Sequence, residues 1–201
     1  KLKDDRANAI AIVSGIANPK FHNQIVDNVL IPNRYSSPHF EWIAEEAMCI
    51  AGRYKASLAR MKDQYQRQVD KKSMSTLYEM FPKGGSYNHA WNGSNKILSK
   101  YIAGVAPTKV GWSEFQIVPN LVHFKQLKKV IPTVKGNITI DLEVKDNAYQ
   151  LELMSPENTT AIIGIPKIDK SITEVFANGK LIWKKGRKKK SVKGFIFDSE
   201  F

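Results

Sequence analysis

Cysteine is almost absent. Cys49 is the single one among 201 residues, which excludes an internal disulfide and a multi-thiolate metal site. It lies in the apolar run AMCIAG and reads as a small buried thiol rather than a nucleophile. The four histidines, His22, His39, His89 and His123, show no HExxH or similar spacing, so neither a metal nor another cofactor is expected. No stretch approaches ~18 uninterrupted apolar residues, so no membrane span is expected. Lys1 is not an initiator methionine, and no apolar signal-peptide run follows it. The expectation is therefore a piece of a longer protein, and the missing leader says nothing about its location.

Acidic residues are few beside basic ones, 19 against 31, giving a net charge of +12. Basic chains often meet nucleic acid or other polyanions, but no nucleic-acid-binding signature accompanies the charge, and nucleic acid is not an expected partner. The densest cluster is KKGRKKK over 184–190, directly after Leu181-Ile182-Trp183. It reads as a solvated hairpin tip, with contact to a polyanion or acidic glycan as the alternative. A hydrophobic content of 42% with 10% aromatics belongs to an ordinary globular chain.

The pattern changes near residue 105. Upstream it is helical, with helices expected over about 5–17, 22–31, 37–52, 53–69 and 91–103. The first carries apolar residues on so many sides that it should be covered nearly all round, which implies a partner surface beyond this helical array. The third opens on Ser37-Pro38 and closes on Gly52. The fourth aligns Tyr54, Leu58, Met61, Tyr65 and Val69. After Pro107 the period becomes two: Ile138, Ile140, Leu142 and Val144 alternate with Thr139, Asp141 and Glu143, and Tyr149, Leu151 and Leu153 with Gln150 and Glu152. Asp146-Asn147 favours a turn, and Asn178-Gly179 signals a type I′ hairpin. Phe115 and Ile117, Ile163 and Ile165, and Phe195 and Phe197 supply further strands. The fold class expected is helices followed by an antiparallel β-sandwich, in two domains, 1–105 and 106–201.

Residues 73–95, SMSTLYEMFPKGGSYNHAWNGSN, lack apolar periodicity. They concentrate Glu79, His89, Asn88, Asn92 and the aromatics Tyr78, Phe81, Tyr87 and Trp91. Sugar sites use this mixture because an aromatic face packs on pyranose C–H groups, amides and imidazoles meet hydroxyls, and carboxylates move protons. An ordinary inter-helix loop fits the same composition.

In order along the chain stand SPHFEWIAEEAMCIAGRY, STLYEMF, SYNHAW and YIAGVAPTKVGWSEFQIVP. That succession resembles the C-terminal half of the α-L-rhamnosidase family of bacterial inverting glycoside hydrolases, most strongly over 36–119. The resemblance implies the end of an (α/α)₆ barrel, a partial α/α toroid, followed by a β-sandwich, with Tyr101, Ala103, Gly104, Pro107, Gly111 and Phe115 fitting the crossing between them. It implies that Glu79, in Thr76-Leu77-Tyr78-Glu79, is the general base, with tyrosine where the family usually has tryptophan. It further implies that His89, paired with Asn88, contacts the sugar. The placement of Trp91 beside them is our own inference, and Tyr78 is taken with them as part of the pocket. The substrate implied is a terminal α-L-rhamnosyl or similar deoxyhexosyl glycoside. By resemblance alone, the protein acts in the periplasm or outside the cell. An inverting hydrolase needs an acid and a base roughly 6.5–9.5 Å apart on opposite ring faces, and the family's acid lies in the half of the barrel that this chain lacks. Glu41, Glu45 and Glu46 sit on a helix and are expected to form salt bridges or line the core edge. A non-catalytic carbohydrate-binding relative and a basic polyanion-binding module are the alternatives.

Overall fold

The structure, a computed structural model, describes residues 3–71, 76–81, 93–145, 148–165, 172–185, 187–189 and 192–194. Its contacts divide the chain into two compact units, Lys1–Gly164 and Ile165–Phe201.

Helix α1 runs Asp5–Val13. Asp4 caps it by accepting the Arg6 N–H at 2.8 Å, which satisfies one of the four donors a helix start leaves open. It stops at Ser14, four residues short of the expected end. Its inward stripe is Asp5, Ala9 and Ile12, while Ile10 is 42% and Ile16 81% exposed. The helix is therefore packed along one stripe within this chain, not all round. A 3₁₀ turn at Pro19–Phe21 leads into α2, His22–Ile25, which continues as a π turn over Val26–Leu30. Helix α3, Pro38–Ile50, begins at Ser37 as expected, with proline at its first turn. It closes with the Gly52 N–H donating to the Cys49 carbonyl and the Arg53 N–H to the Met48 carbonyl, the paired bonds of a Schellman end. Ala9, Ile12, Val26, Leu30, Ala44, Ala47 and Met48 form one core. The alanines let α1 and α3 approach closely, and burying Ile12, Leu30 and Met48 stabilises by roughly 1.5–3 kcal/mol each.

Helix α4, Tyr54–Val69, buries Ser57, Arg60, Tyr65 and Gln68. The expected face is thus rotated, and Val69 is 69% exposed. The cause is Arg60, whose guanidinium reaches Glu41 through Nε at 2.6 Å and Asp5 through Nη2 at 2.6 Å, all three side chains fully buried. Arg60 Nη1 also donates to the Leu30 carbonyl at 2.6 Å. A buried charge set of this kind tolerates no loss of one partner, which costs about 3–5 kcal/mol. Helix α5, Gly93–Ile97, runs on as a π turn over Leu98–Ile102. The five helices outline no barrel within this chain, so the partial toroid implied by resemblance is not evident here.

Strands β1 (Val105–Pro107), β2 (Glu114–Ile117) and β6 (Thr160–Ile163) form one sheet. Strands β3 (Gln126–Thr133), β4 (Gly136–Lys145) and β5 (Ala148–Met154) form a second. The second sheet is antiparallel throughout, but β2 pairs with β6 in parallel, so the strands are mixed rather than purely antiparallel. The two sheets bury a common core of Phe115, Ile117, Ile131, Ile138 and Ile140, closed by Ala103 and Val105 from the crossing. Ile138, Ile140 and Leu142 are at most 1% exposed and Val144 is half-buried, so the predicted inward face of β4 is the observed one. Lys145 pairs with Ala148 across Asp146-Asn147, which lie outside the described residues.

In the second unit, β7 (Glu174–Ala177), β8 (Lys180–Lys184) and β9 (Arg187–Lys188) form a sheet of their own. Asn178 at φ 47° and Gly179 at φ 74° make the expected type I′ turn. Lys184, Lys185, Arg187, Lys188 and Lys189 are exposed, and the basic run forms the β8–β9 hairpin. Phe195 and Phe197 lie outside the described residues.

Candidate active site

The loop after α4 is described over 76–81. Its backbone and rings are tied at two points to that helix and at a third to Lys71, just beyond its end. The Tyr78 N–H donates to Gln68 Oε1 at 2.7 Å. The Tyr78 hydroxyl accepts from Lys71 Nζ at 2.9 Å, with the same ammonium 5.6 Å from the ring centroid. Phe81 meets Tyr65 edge-to-face, with centroids 5.1 Å apart at 77°, a geometry that aromatic quadrupoles favour. Glu79 stands between these anchored residues, half-buried, and no hydrogen bond or ion pair to it is formed among the described residues. Tyr78 touches α4 rather than standing free, which makes it a support for the segment. Asn88, His89 and Trp91 lie outside the described residues.

The acids of α3 take the structural roles expected of them, at greater depth than a core edge. Glu41 belongs to the Arg60 cluster. Glu46 accepts from Lys96 at 2.7 Å, Lys100 at 3.0 Å and the Tyr101 hydroxyl at 2.8 Å. Burial alone would raise its pKa, but those three donors outweigh it and hold the carboxyl below its ordinary value. Tyr101 is pushed up to about 12, mainly by burial. Glu45 is fully buried and, among the described residues, accepts only the Ser94 hydroxyl, at 3.1 and 2.9 Å from its two oxygens. Burial first, and the Glu41 charge second, push its pKa up to about 8. Cys49, buried beneath, is raised to about 11 by desolvation and is an inert core thiol.

Sequence reasoning missed Gln68 and Tyr65 as neighbours of the loop. The available signal was Ser57, Arg60 and Gln68 recurring with Tyr65 on one side of α4: polar groups on a buried stripe need partners, and those partners lie in adjoining segments.

The model of the bacterial alpha-L-rhamnosidase C-terminal domain matches residues 104–179. No curated protein matches the chain. Among solved structures, a GH78 family rhamnosidase of Bacillus sp. GL1 superposes with TM-score 0.72 at 21% identity, over 83% of this chain and 19% of that one. The alpha-L-rhamnosidase from Dictyoglumus thermophilum gives TM-score 0.74 at 19% identity, over 90% of this chain and 22% of its own. A Streptomyces avermitilis alpha-L-rhamnosidase complexed with L-rhamnose gives TM-score 0.66 at 16% identity, over 81% and 18%. The chain spans about a fifth of the length of these proteins. In sequence over 104–179, and in fold over most of its length, it is similar to the C-terminal part of the bacterial alpha-L-rhamnosidases.

Proposed function

We propose that this chain is the C-terminal part of an inverting glycoside hydrolase that removes terminal α-L-rhamnosyl, or similar deoxyhexosyl, groups from a carbohydrate, and that Glu79 is its general base. In this reading residues 1–105 end a helical barrel whose remaining helices, with the general acid, lie outside the chain, and 106–201 form the β-domain. The observation that carries it is the state of Glu79: a half-buried carboxylate with no partner among the described residues, between two residues pinned to α4, in a motif that fits the family's base. The base takes a proton from the attacking water as an acid on the opposite ring face protonates the departing oxygen. Asn88, His89 and Trp91 complete the sugar pocket. Glu41, Glu45 and Glu46 are committed to buried contacts, so none is free to serve as that acid. The test measures L-rhamnose binding and rhamnoside hydrolysis separately on the product of the full reading frame. Hydrolysis with inversion at the anomeric carbon supports the proposal, whereas tight rhamnose binding without turnover assigns the chain to a non-catalytic relative.

A second reading rests on the exposed β8–β9 hairpin, whose Lys184, Lys185, Arg187, Lys188 and Lys189 present a cationic edge. A polyanion-binding module would be retained on heparin in a salt-sensitive way, and neutralising these residues would abolish the retention.

A further inference from the structure

Glu79 has no fastening of its own among the described residues, yet a general base works only if its oxygen is held at the water. What fixes the segment is α4. Gln68 is 5% exposed, lies one helical turn from Tyr65, and its Oε1 accepts the N–H of Tyr78, the residue immediately before Glu79, at 2.7 Å. The other end of the same amide, Nε2, is buried without a hydrogen-bond partner among the described residues. An unsatisfied buried amide nitrogen is unfavourable, and an apolar side chain of the same length would remove it only by leaving the Tyr78 N–H without its acceptor. The residue is explained by what its oxygen does. Tyr65, on the same stripe, holds Phe81 two residues beyond Glu79. The base is therefore gripped on either side by a single rigid helix.

We propose that Gln68 is a positioning residue for the hydrolytic reaction, fixing Glu79 through the backbone of Tyr78; this rests on the reading of Glu79 as the general base. A side chain held by one hydrogen bond to its neighbour's backbone moves when that bond is lost, and a displacement of about 1 Å at a reacting group can lower turnover by about 10²-fold. The ground-state sugar contacts are made elsewhere in the pocket and should not respond.

The experiment uses the product of the full reading frame, a rhamnoside substrate, and three variants. Gln68→Met keeps length and removes both the acceptor and the unpaired amide. Gln68→Glu keeps the acceptor, and Glu79→Gln serves as control. The expected result for Gln68→Met is a kcat lower by roughly 10- to 10²-fold, KM within about threefold of wild type, and a melting temperature within about 3 °C. Gln68→Glu should return kcat to within about threefold of wild type. Wild-type kcat in Gln68→Met, or equal losses in Gln68→Met and Gln68→Glu, would overturn the proposal; a lowered melting temperature shared by both would assign Gln68 to the scaffold. If Glu79→Gln itself turns over normally, the base assignment fails first and the role of Gln68 falls with it.

Discussion

At the scale of single residues, the helical half is governed by buried charge. Asp5, Glu41 and Arg60 pair closely enough that three ionisable side chains are removed from water. Glu45 forms no ion pair among the described residues and accepts the Ser94 hydroxyl. Its pKa rises from an ordinary carboxyl value to about 8 because burial disfavours its charged form. The native state therefore holds this proton more tightly than the unfolded chain does. Its contribution to stability is fully present below the unfolded carboxyl range, near pH 4, and is lost as the pH rises toward 8. Glu45→Gln, neutral at every pH, should abolish that loss. Denaturant titrations at several pH values should show the mutant gaining on wild type between about pH 4.5 and 8, by an amount on the order of a few kcal/mol. A pH-independent difference between the two would mean that Glu45 is ionised in the fold. The sequence showed these acids on a helix with salt-bridging roles, but not their depth. Glutamates at 41 and 45 share the stripe of Ala44 and Met48, and only the three-dimensional position of Arg60, one helix later, allows a charge at Glu41.

At the scale of elements, the strands were more legible than the helices. One face of β4 is apolar without exception, and a slip of one residue would bury Thr139, Asp141 and Glu143, so the register follows from the sequence itself. Asn178-Gly179 fixed its hairpin for the same local reason. The face of α4 was misjudged because its apolar residues, Tyr54, Leu58, Met61 and Val69, fall beside a stripe whose burial is decided by ion pairing and amide bonds. The parallel pairing of β2 with β6 was invisible, since 42 residues separate Ile117 from Thr160 and no local signal marks a non-sequential partner. The crossing from helix to strand depends on Gly104, at φ +70°, where an added Cβ would come within 2.0 Å of the Val118 carbonyl oxygen. Its own carbonyl accepts the Val118 N–H at 3.0 Å, so that backbone has no freedom to retreat. Gly104→Ala is expected to destabilise by about 1–3 kcal/mol from backbone strain, with the clash adding to it. A thermal melt within 1 °C of wild type would show that the corner can relax.

At the scale of the whole molecule, the sequence carried the order of the parts, which the fold of the solved alpha-L-rhamnosidases shares, and a family likeness that the match over 104–179 supports. A barrel could not be seen, because five helices close nothing by themselves. Exposed Ile10 and Ile16 on and after α1 are consistent with the proposed helices beyond this chain. Of the proposed pocket, Glu79 and Tyr78 are placed by the structure, and their supports on α4 are new to it. The resemblance named Glu79 through its threonine–x–aromatic–glutamate motif; Gln68 escaped notice because the buried face of α4 was assigned from its apolar residues alone. The measurement that bears most directly on the whole reading is the turnover of a rhamnoside by the full-frame protein carrying Glu79→Gln, an exchange that keeps shape and removes the base. Turnover should fall by roughly 10²–10⁴-fold while L-rhamnose binding survives; a mutant that hydrolyses at the wild-type rate would show that the base lies elsewhere.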